Sequence, residues 1–194
     1  MPIEKLDKCV PQSSNAFAQW LGKQVLKRLG WKICGTFPKR SKFVVAVAPH
    51  TSNWDFVIAV AAMLALQLKV RFLGKDALFF WPFSWWLNKI GGIPVERNSN
   101  HGVVGQMTTL FLNTDKLVLG IAPEGTRRKT NQWKSGFLHI AYNAQVPVVP
   151  LSLDFNKKEI RVYNEVFIGE NIAQELASFK SIYTHVTPKN IQGI

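Results

Sequence analysis

Cysteine is nearly absent from this 194-residue chain: Cys9 and Cys34 are the only two, too few for a disulfide framework or a zinc site made of thiolates alone. A reducing cytoplasm is the expected setting. The four histidines, His50, His101, His139 and His185, are scattered and none falls at a metal-ligand spacing, so no metal is expected. Long apolar runs are also missing. The longest, from Trp54 to Leu68, is interrupted by Asp55 and Gln67, falls short of the roughly 20 residues needed to span hydrocarbon, and reads as a buried helix. The opening MPIEKLDKCVPQSSN has neither the apolar core nor the cleavage site of a secretory signal, so the mature chain is expected to start where it is written. No G-x-G-x-x-G, G-x-x-x-x-G-K-[ST] or G-x-S-x-G pattern occurs, which leaves nicotinamide cofactors, ATP and a serine-elbow hydrolase without support.

Acidic side chains are scarce as well, 12 against 24 Lys and Arg, for a formal net charge of +12. The first 42 residues hold nine of those cations against Glu4 and Asp7, a net of +7. Such a surface suits nucleic acid or an anionic membrane leaflet. With no zinc-finger spacing, RNP aromatic pattern or helix-turn-helix sequence, only charge argues for nucleic acid, and none is expected as a partner.

Aromatics, in contrast, are plentiful, with seven Trp and thirteen Phe. Several cluster in ALFFWPFSWWLNKI, residues 77–90, which contributes Phe79, Phe80, Trp81, Phe83, Trp85 and Trp86. The run fits core packing around a bend at Pro82, or lipid contact with Lys89 kept hydrated. In residues 14–30, Phe17, Trp20, Leu21, Val25, Leu26 and Leu29 fall near one face of a helix, Lys23, Lys27 and Arg28 widen its polar side, and Gly30 fits a C-cap. This is a surface helix packed on the domain or a basic helix lying at a membrane interface.

Apolar strands at 42–49, 70–75, 116–121 and 146–154 alternate with helical patterns at 53–68 and 100–113, and residues 135–144 read as a further helix. Partial alternation at 159–169 and a terminal helix over 171–183 follow. The pattern predicts a single α/β domain with a mixed, largely parallel sheet flanked by helices. Residues 1–41 form a basic amphipathic N-terminal region, integrated with residues 42–194 as one structural unit. PHTSNWD and PEGTR each follow a strand and are expected to converge at the carboxyl ends, though about seventy positions apart.

Three polar groups carry candidate chemistry. His50 precedes Asp55 by five positions, and with the helix cap at Ser52 or Asn53 the carboxylate lies in the first turn while the imidazole stays outside it. Read alone, the pair suits a general base and its orienting carboxylate, or a loop histidine beside a stabilising helix-start acid. In IAPEGTRRK, residues 121–129, Gly125 allows a tight turn, Arg127 and Thr126 suit a phosphate, and Glu124 suits bracing an arginine or positioning a ligand hydroxyl; the same residues suit an ordinary charged turn. In GGIPVERN, residues 91–98, Gly91 and Gly92 would let backbone approach a ligand, with Arg97 beyond them.

Taken in order, these blocks resemble the glycerophospholipid acyltransferase family, which includes bacterial 1-acylglycerol-3-phosphate acyltransferases. His50 and Asp55 match its H-x-x-x-x-D signature, GGIPVER at 91–97 its G-x-I-x-[IV]-x-R block, and APEGTRR at 122–128 its FPEGTRS block. VPVVPLSL at 146–153 matches its apolar proline segment. Pro49, Ala122 and Arg128 depart from the common Asn, aromatic and Ser, which loosens the link to lysophosphatidic acid. The resemblance implies a glycerolipid acyltransferase-like fold and transfer of a fatty acyl group from acyl-CoA or acyl carrier protein to a hydroxyl of a lysophospholipid or glycerol phosphate. It implies His50 and Asp55 as the catalytic pair, and Arg97, Glu124, Gly125, Thr126 and Arg127 at the acceptor phosphate. Trp20, Phe79, Phe80, Trp81, Phe83, Trp85 and Trp86 would then meet the membrane or an acyl tunnel. No permanent cofactor is implied, and the enzyme would lie peripherally on the cytoplasmic face of an anionic membrane. A noncatalytic lipid-binding protein of the same fold is the alternative.

Overall fold

The computed structural model describes residues 6–95, 100–126 and 132–190. The chain runs α1 (Ala16–Leu29), β1 (Lys32–Cys34), β2 (Lys42–Ala48), α2 (Asn53–Leu66), β3 (Arg71–Lys75), α3 (Phe83–Lys89), β4 (Gly92–Val95) and α4 (Asn100–Leu112). It continues with β5 (Leu117–Ile121), α5 (Gly136–Asn143), β6 (Val148–Asp154), β7 (Glu159–Val162) and α6 (Ile172–Ile182). The strands form one sheet in the order β1-β7-β6-β2-β5-β3-β4. From β6 to β4 the neighbours are parallel, while β7 runs antiparallel to β6 and carries β1 parallel to itself. The expected mixed, largely parallel α/β sheet is thus the observed one.

The central strand explains why the apolar runs are nearly continuous. Phe43 and Val45 of β2 join Leu26 of α1 and Ile58, Ala61, Ala62 and Ala65 of α2 in one core. Val44, Ala46 and Ala48 point the other way, into a core with Met107, Phe111, Phe137, Leu138 and Phe179 of α4, α5 and α6. A strand buried on both faces needs apolar side chains at every position, so period-2 alternation vanishes.

Helix α1 starts where Asn15 Oδ1 accepts the Ala18 N–H at 2.9 Å and ends at Gly30, with φ +74°. It crosses α2 at Gly22, where a β-carbon would stand 2.5 Å from Ala65 N and 2.6 Å from Ala61 O. That close approach divides the apolar face the periodicity predicts. Leu26 is buried and Val25 and Leu29 pack on the core, but Phe17, Trp20 and Leu21 remain exposed.

The sequence pattern does not announce β1, three residues long and too short for alternation to register, and β7 occupies only the first four residues of the segment 159–169 where partial alternation is read. Helix α3 occupies the aromatic run, where almost every position is apolar and no amphipathic period can be read. Helix α2 stops two residues early, because Gln67 turns left-handed at φ +58°.

Candidate active site

β2 and β5 are paired neighbours, with Ala46 opposite Ile121. The loops that follow them therefore emerge side by side at the carboxyl edge of the sheet, as expected for PHTSNWD and PEGTR. The link between them is direct: the His50 main-chain N–H donates to Glu124 Oε2 at 3.0 Å.

Within the first loop Ser52 caps α2, its Oγ accepting the Trp54 N–H at 2.9 Å. Asp55, in the first helical turn, folds back so that Oδ2 accepts the N–H groups of Thr51 and Ser52, each at 2.6 Å. This reciprocal capping satisfies donors that a helix start otherwise leaves bare. The same Oδ2 lies 3.5 Å from His50 Nδ1, longer than a well-formed hydrogen bond. Asp55 is 1% exposed, whereas the His50 side chain is 20% exposed. With Nδ1 turned to the carboxylate, Nε2 occupies the opposite edge of the ring. Asp55 Oδ1 is buried without a hydrogen-bond partner among the described residues.

Glu124 is also buried. Burial pushes its carboxyl above the ordinary range; the His50 N–H and imidazole pull it down, and the nearby Asp55 charge pushes it up. Its place against the His50 main chain is a partner the sequence reading did not anticipate. Gly125 makes the turn at φ +63°, where the Lys134 stem would lie 3.2 Å from an added β-carbon. The Gly125 N–H closes that turn on Ala122 O at 3.1 Å, and the Lys134 N–H donates to Pro123 O at 2.8 Å. Thr126 follows within the described chain, whereas Arg97 and Arg127 lie outside the described residues.

Gly91 and Gly92 serve packing where ligand approach was expected. A β-carbon on Gly91 would stand 2.2 Å from Val70 O, and Gly92 sits under the Phe79 ring. Phe79 accordingly covers Gly74 and Gly92 and is only half exposed. The other aromatics of the run, Phe80, Trp81, Phe83, Trp85 and Trp86, are exposed, Trp81 at 86%. Trp54, at the start of the helix that carries Asp55, is exposed too. Phe56 bridges the two groups, its ring 6.3 Å from Trp86 and 5.5 Å from Phe72.

The second edge of the site comes from far along the chain. Asn190 donates from Nδ2 to Thr51 O at 3.0 Å and from its main-chain N–H to Thr51 Oγ1 at 3.3 Å. No motif marks this contact. Among the described residues no group of three or more His, Cys, Asp or Glu side chains could hold a metal ion, and no helix is long and apolar enough to cross a membrane.

A family model described as Acyltransferase matches residues 32–154. The chain is similar to the 1-acyl-sn-glycerol-3-phosphate acyltransferase of Haemophilus influenzae, 27% identical over 153 residues covering 73% of this chain and 61% of that one. It is 28% identical to the Escherichia coli protein of the same name over 138 residues, covering 65% of this chain and 54% of that one. The chain thus spans between half and two thirds of the length of these relatives. Among solved structures, the 1-acyl-sn-glycerophosphate (LPA) acyltransferase PlsC from Thermotoga maritima shares the fold, with a TM-score of 0.60 at 19% identity over 89% of this chain and 80% of that one. The matched stretch covers more than half of the sequence and takes in His50, Asp55 and Glu124 together, and the chain belongs to the acyltransferase family.

Proposed function

We propose that this protein transfers a fatty acyl group from a thioester to a hydroxyl of a lysophospholipid or glycerol phosphate, with 1-acyl-glycerol-3-phosphate the first acceptor to try. The observation that carries the reading is the His50–Asp55 pair, held by three main-chain contacts at the carboxyl edge of the sheet. His50 Nε2 takes the proton of the acceptor hydroxyl as its oxygen attacks the thioester carbonyl carbon. Asp55 fixes Nδ1–H and stabilises the imidazolium. The tetrahedral adduct collapses, the C–S bond breaks, and the imidazolium returns the proton to the departing thiolate of coenzyme A or acyl carrier protein. Glu124 keeps the His50 main chain in place beneath the ring. Arg97 and Arg127, assigned through the family motifs, hold the acceptor phosphate with Gly125 and Thr126. None of this chemistry calls on a resident cofactor.

A lysophospholipid acceptor and a long-chain acyl-CoA both partition into bilayers, and the surface fits that setting. Exposed Phe80, Trp81, Phe83, Trp85 and Trp86 flank Lys89, whose ammonium lies 4.6 Å over the Trp85 ring, while Phe17 and Trp20 share α1 with Lys23, Lys27 and Arg28. Aromatic rings beside cations suit the interface of an anionic membrane. In this reading the chain works as one unit, with α1 docked on α2 and facing the lipid.

The experiment incubates the purified protein, with vesicles, with acyl-CoA or acyl carrier protein thioesters against glycerol 3-phosphate, lysophosphatidic acid and other lysolipids, and detects product by mass spectrometry. Acylated product from a phosphate-bearing acceptor is expected, with Arg127→Ala acting mainly through a higher acceptor KM. Product only from acceptors without phosphate would overturn the acceptor assignment. Lipid binding without product from any pair would favour the noncatalytic reading.

A further inference from the structure

The C-terminal segment beyond the family-matched stretch is tied to β2 before His50 and to the loop just after it. Below the histidine, the buried Tyr183 hydroxyl donates to Ala46 O at 2.8 Å. From there the Val186 N–H returns to Tyr183 O at 3.1 Å, and Thr187 O accepts the Phe155 N–H at 2.9 Å, just past the end of β6. Lys189 Nζ lies 5.6 Å from the Phe155 ring centroid, and that ring packs edge-on against Trp31, 4.8 Å away. The segment therefore crosses the carboxyl ends of β6 and β2, from the α6 side of the sheet to the other. Above the histidine, Asn190 closes on Thr51 through both its side chain and its main chain.

Thr51 is the residue between the base and the helix cap. Its N–H is one of the two that hold Asp55 Oδ2, its carbonyl is held by Asn190, and the neighbouring His50 N–H is held by Glu124. Without Asn190 the Thr51–Ser52 peptide loses the side-chain donor to its carbonyl, and a half-buried loop carbonyl then turns toward water. Rotation of that peptide swings the Ser52 N–H, one of the two donors to Asp55 Oδ2, and so opens the 3.5 Å approach of the carboxylate to the imidazole.

We propose that Asn190 is a positioning residue, and that residues 183–190 form a strap fixing the His50–Asp55 loop from outside the motif-bearing half of the chain. The catalytic part of this inference rests on the His50 reading above; the strap itself does not. Asn190→Ala and Asn190→Asp, the second keeping size but removing the Nδ2 donor, are compared with wild type and His50→Ala. In both variants amide hydrogen exchange is expected to quicken in a peptide covering residues 50–55 and to stay unchanged in α5, with Tm within a degree or two of wild type. In the acyl-transfer assay kcat is expected to fall about tenfold with donor and acceptor KM unchanged, inside the roughly hundredfold that a 1 Å misplacement costs. Unchanged exchange at 50–55 overturns the strap. Faster exchange with unchanged kcat overturns the positioning role. If wild type and His50→Ala are equally active, the base assignment fails on its own while the exchange result still judges the strap.

Discussion

Replacing Asp55 by Asn separates the two duties this carboxylate performs. Oδ2 accepts two main-chain N–H groups at 2.6 Å and faces His50 Nδ1 at 3.5 Å, while Oδ1 is buried without a partner among the described residues. In Asp55→Asn the amide oxygen can keep the two N–H bonds, but the amide nitrogen then occupies the Oδ1 position as a buried donor with nothing to receive it. The reverse flip sets the amide nitrogen against the Thr51 and Ser52 N–H groups. The first arrangement is the cheaper. It turns two charge-assisted hydrogen bonds into neutral ones, at about 1 kcal/mol each, and exchanges one buried unsatisfied atom, Oδ1, for another, the amide nitrogen. A loss of about 2 kcal/mol lowers Tm by about 4–8 °C in a domain of this size. The imidazole also loses the charge that stabilises its protonated form, and kcat falls by up to about 10⁴, the scale of the corresponding change in a serine protease triad. His50→Ala removes the base alone and leaves both carboxylate bonds in place, so it should lower kcat by about 10²–10⁴ at nearly wild-type Tm. Calorimetry and a thioester-release assay on the two variants read both effects. Asp55→Asn with kcat within threefold of wild type would refute the orienting role, and an unchanged Tm would refute the capping account.

Glu124 gives a pH-dependent signature. Because its carboxyl is pushed up in the folded chain, the folded state binds that proton more tightly than the unfolded state, where the group titrates near 4.5. Its contribution is therefore largest below 4.5 and is lost as pH rises from there through the raised folded value. Glu124→Gln should remove this part of the slope of Tm against pH, and parallel curves for the two proteins would contradict it. Gly22→Ala forces a methyl onto the backbone of Ala61 and Ala65; overpacking of about 1–3 kcal/mol should lower Tm measurably, and an unchanged melting curve would refute the close α1–α2 contact. Trp81→Ser with Trp85→Ser should weaken sedimentation with anionic vesicles at least tenfold, from roughly 1.5 kcal/mol per ring no longer withdrawn from water, and equal binding would remove the aromatic run from the membrane surface.

Where the sequence was legible, one local period dominated. The strands of the two-sided core and the helices between them stand out as apolar blocks cut by Gly, Pro and polar caps, and Ser52 with Asp55 marks the start of α2. The convergence of His50 with Glu124 followed from the rule that loops gather at the carboxyl ends of parallel strands. What stayed hidden depends on partners remote in sequence. Gly91 and Gly92 read as ligand-facing, yet their freedom is used against Val70 and Phe79, which no local pattern announces. Phe79 looked equivalent to its aromatic neighbours, but it packs back over Gly74 of β3 and Gly92 of β4. The short pair β1 and β7 is fixed by its register, Lys32 opposite Glu159, and by the ion pairs of Glu159 with Lys32 and Arg161. Asn190 lies 139 positions from Thr51, so only the path of the C-terminal segment over the sheet edge brings it there.

The central claim is that His50 acts as the general base of acyl transfer, and the most direct measurement is the kcat of wild type and His50→Ala on the best thioester and phosphate-bearing acceptor, with folding of both verified by circular dichroism. A fall of about 10²–10⁴, the range that a positioned acid-base group contributes, with an unchanged spectrum is the predicted result. Equal turnover by a folded His50→Ala protein would contradict the account.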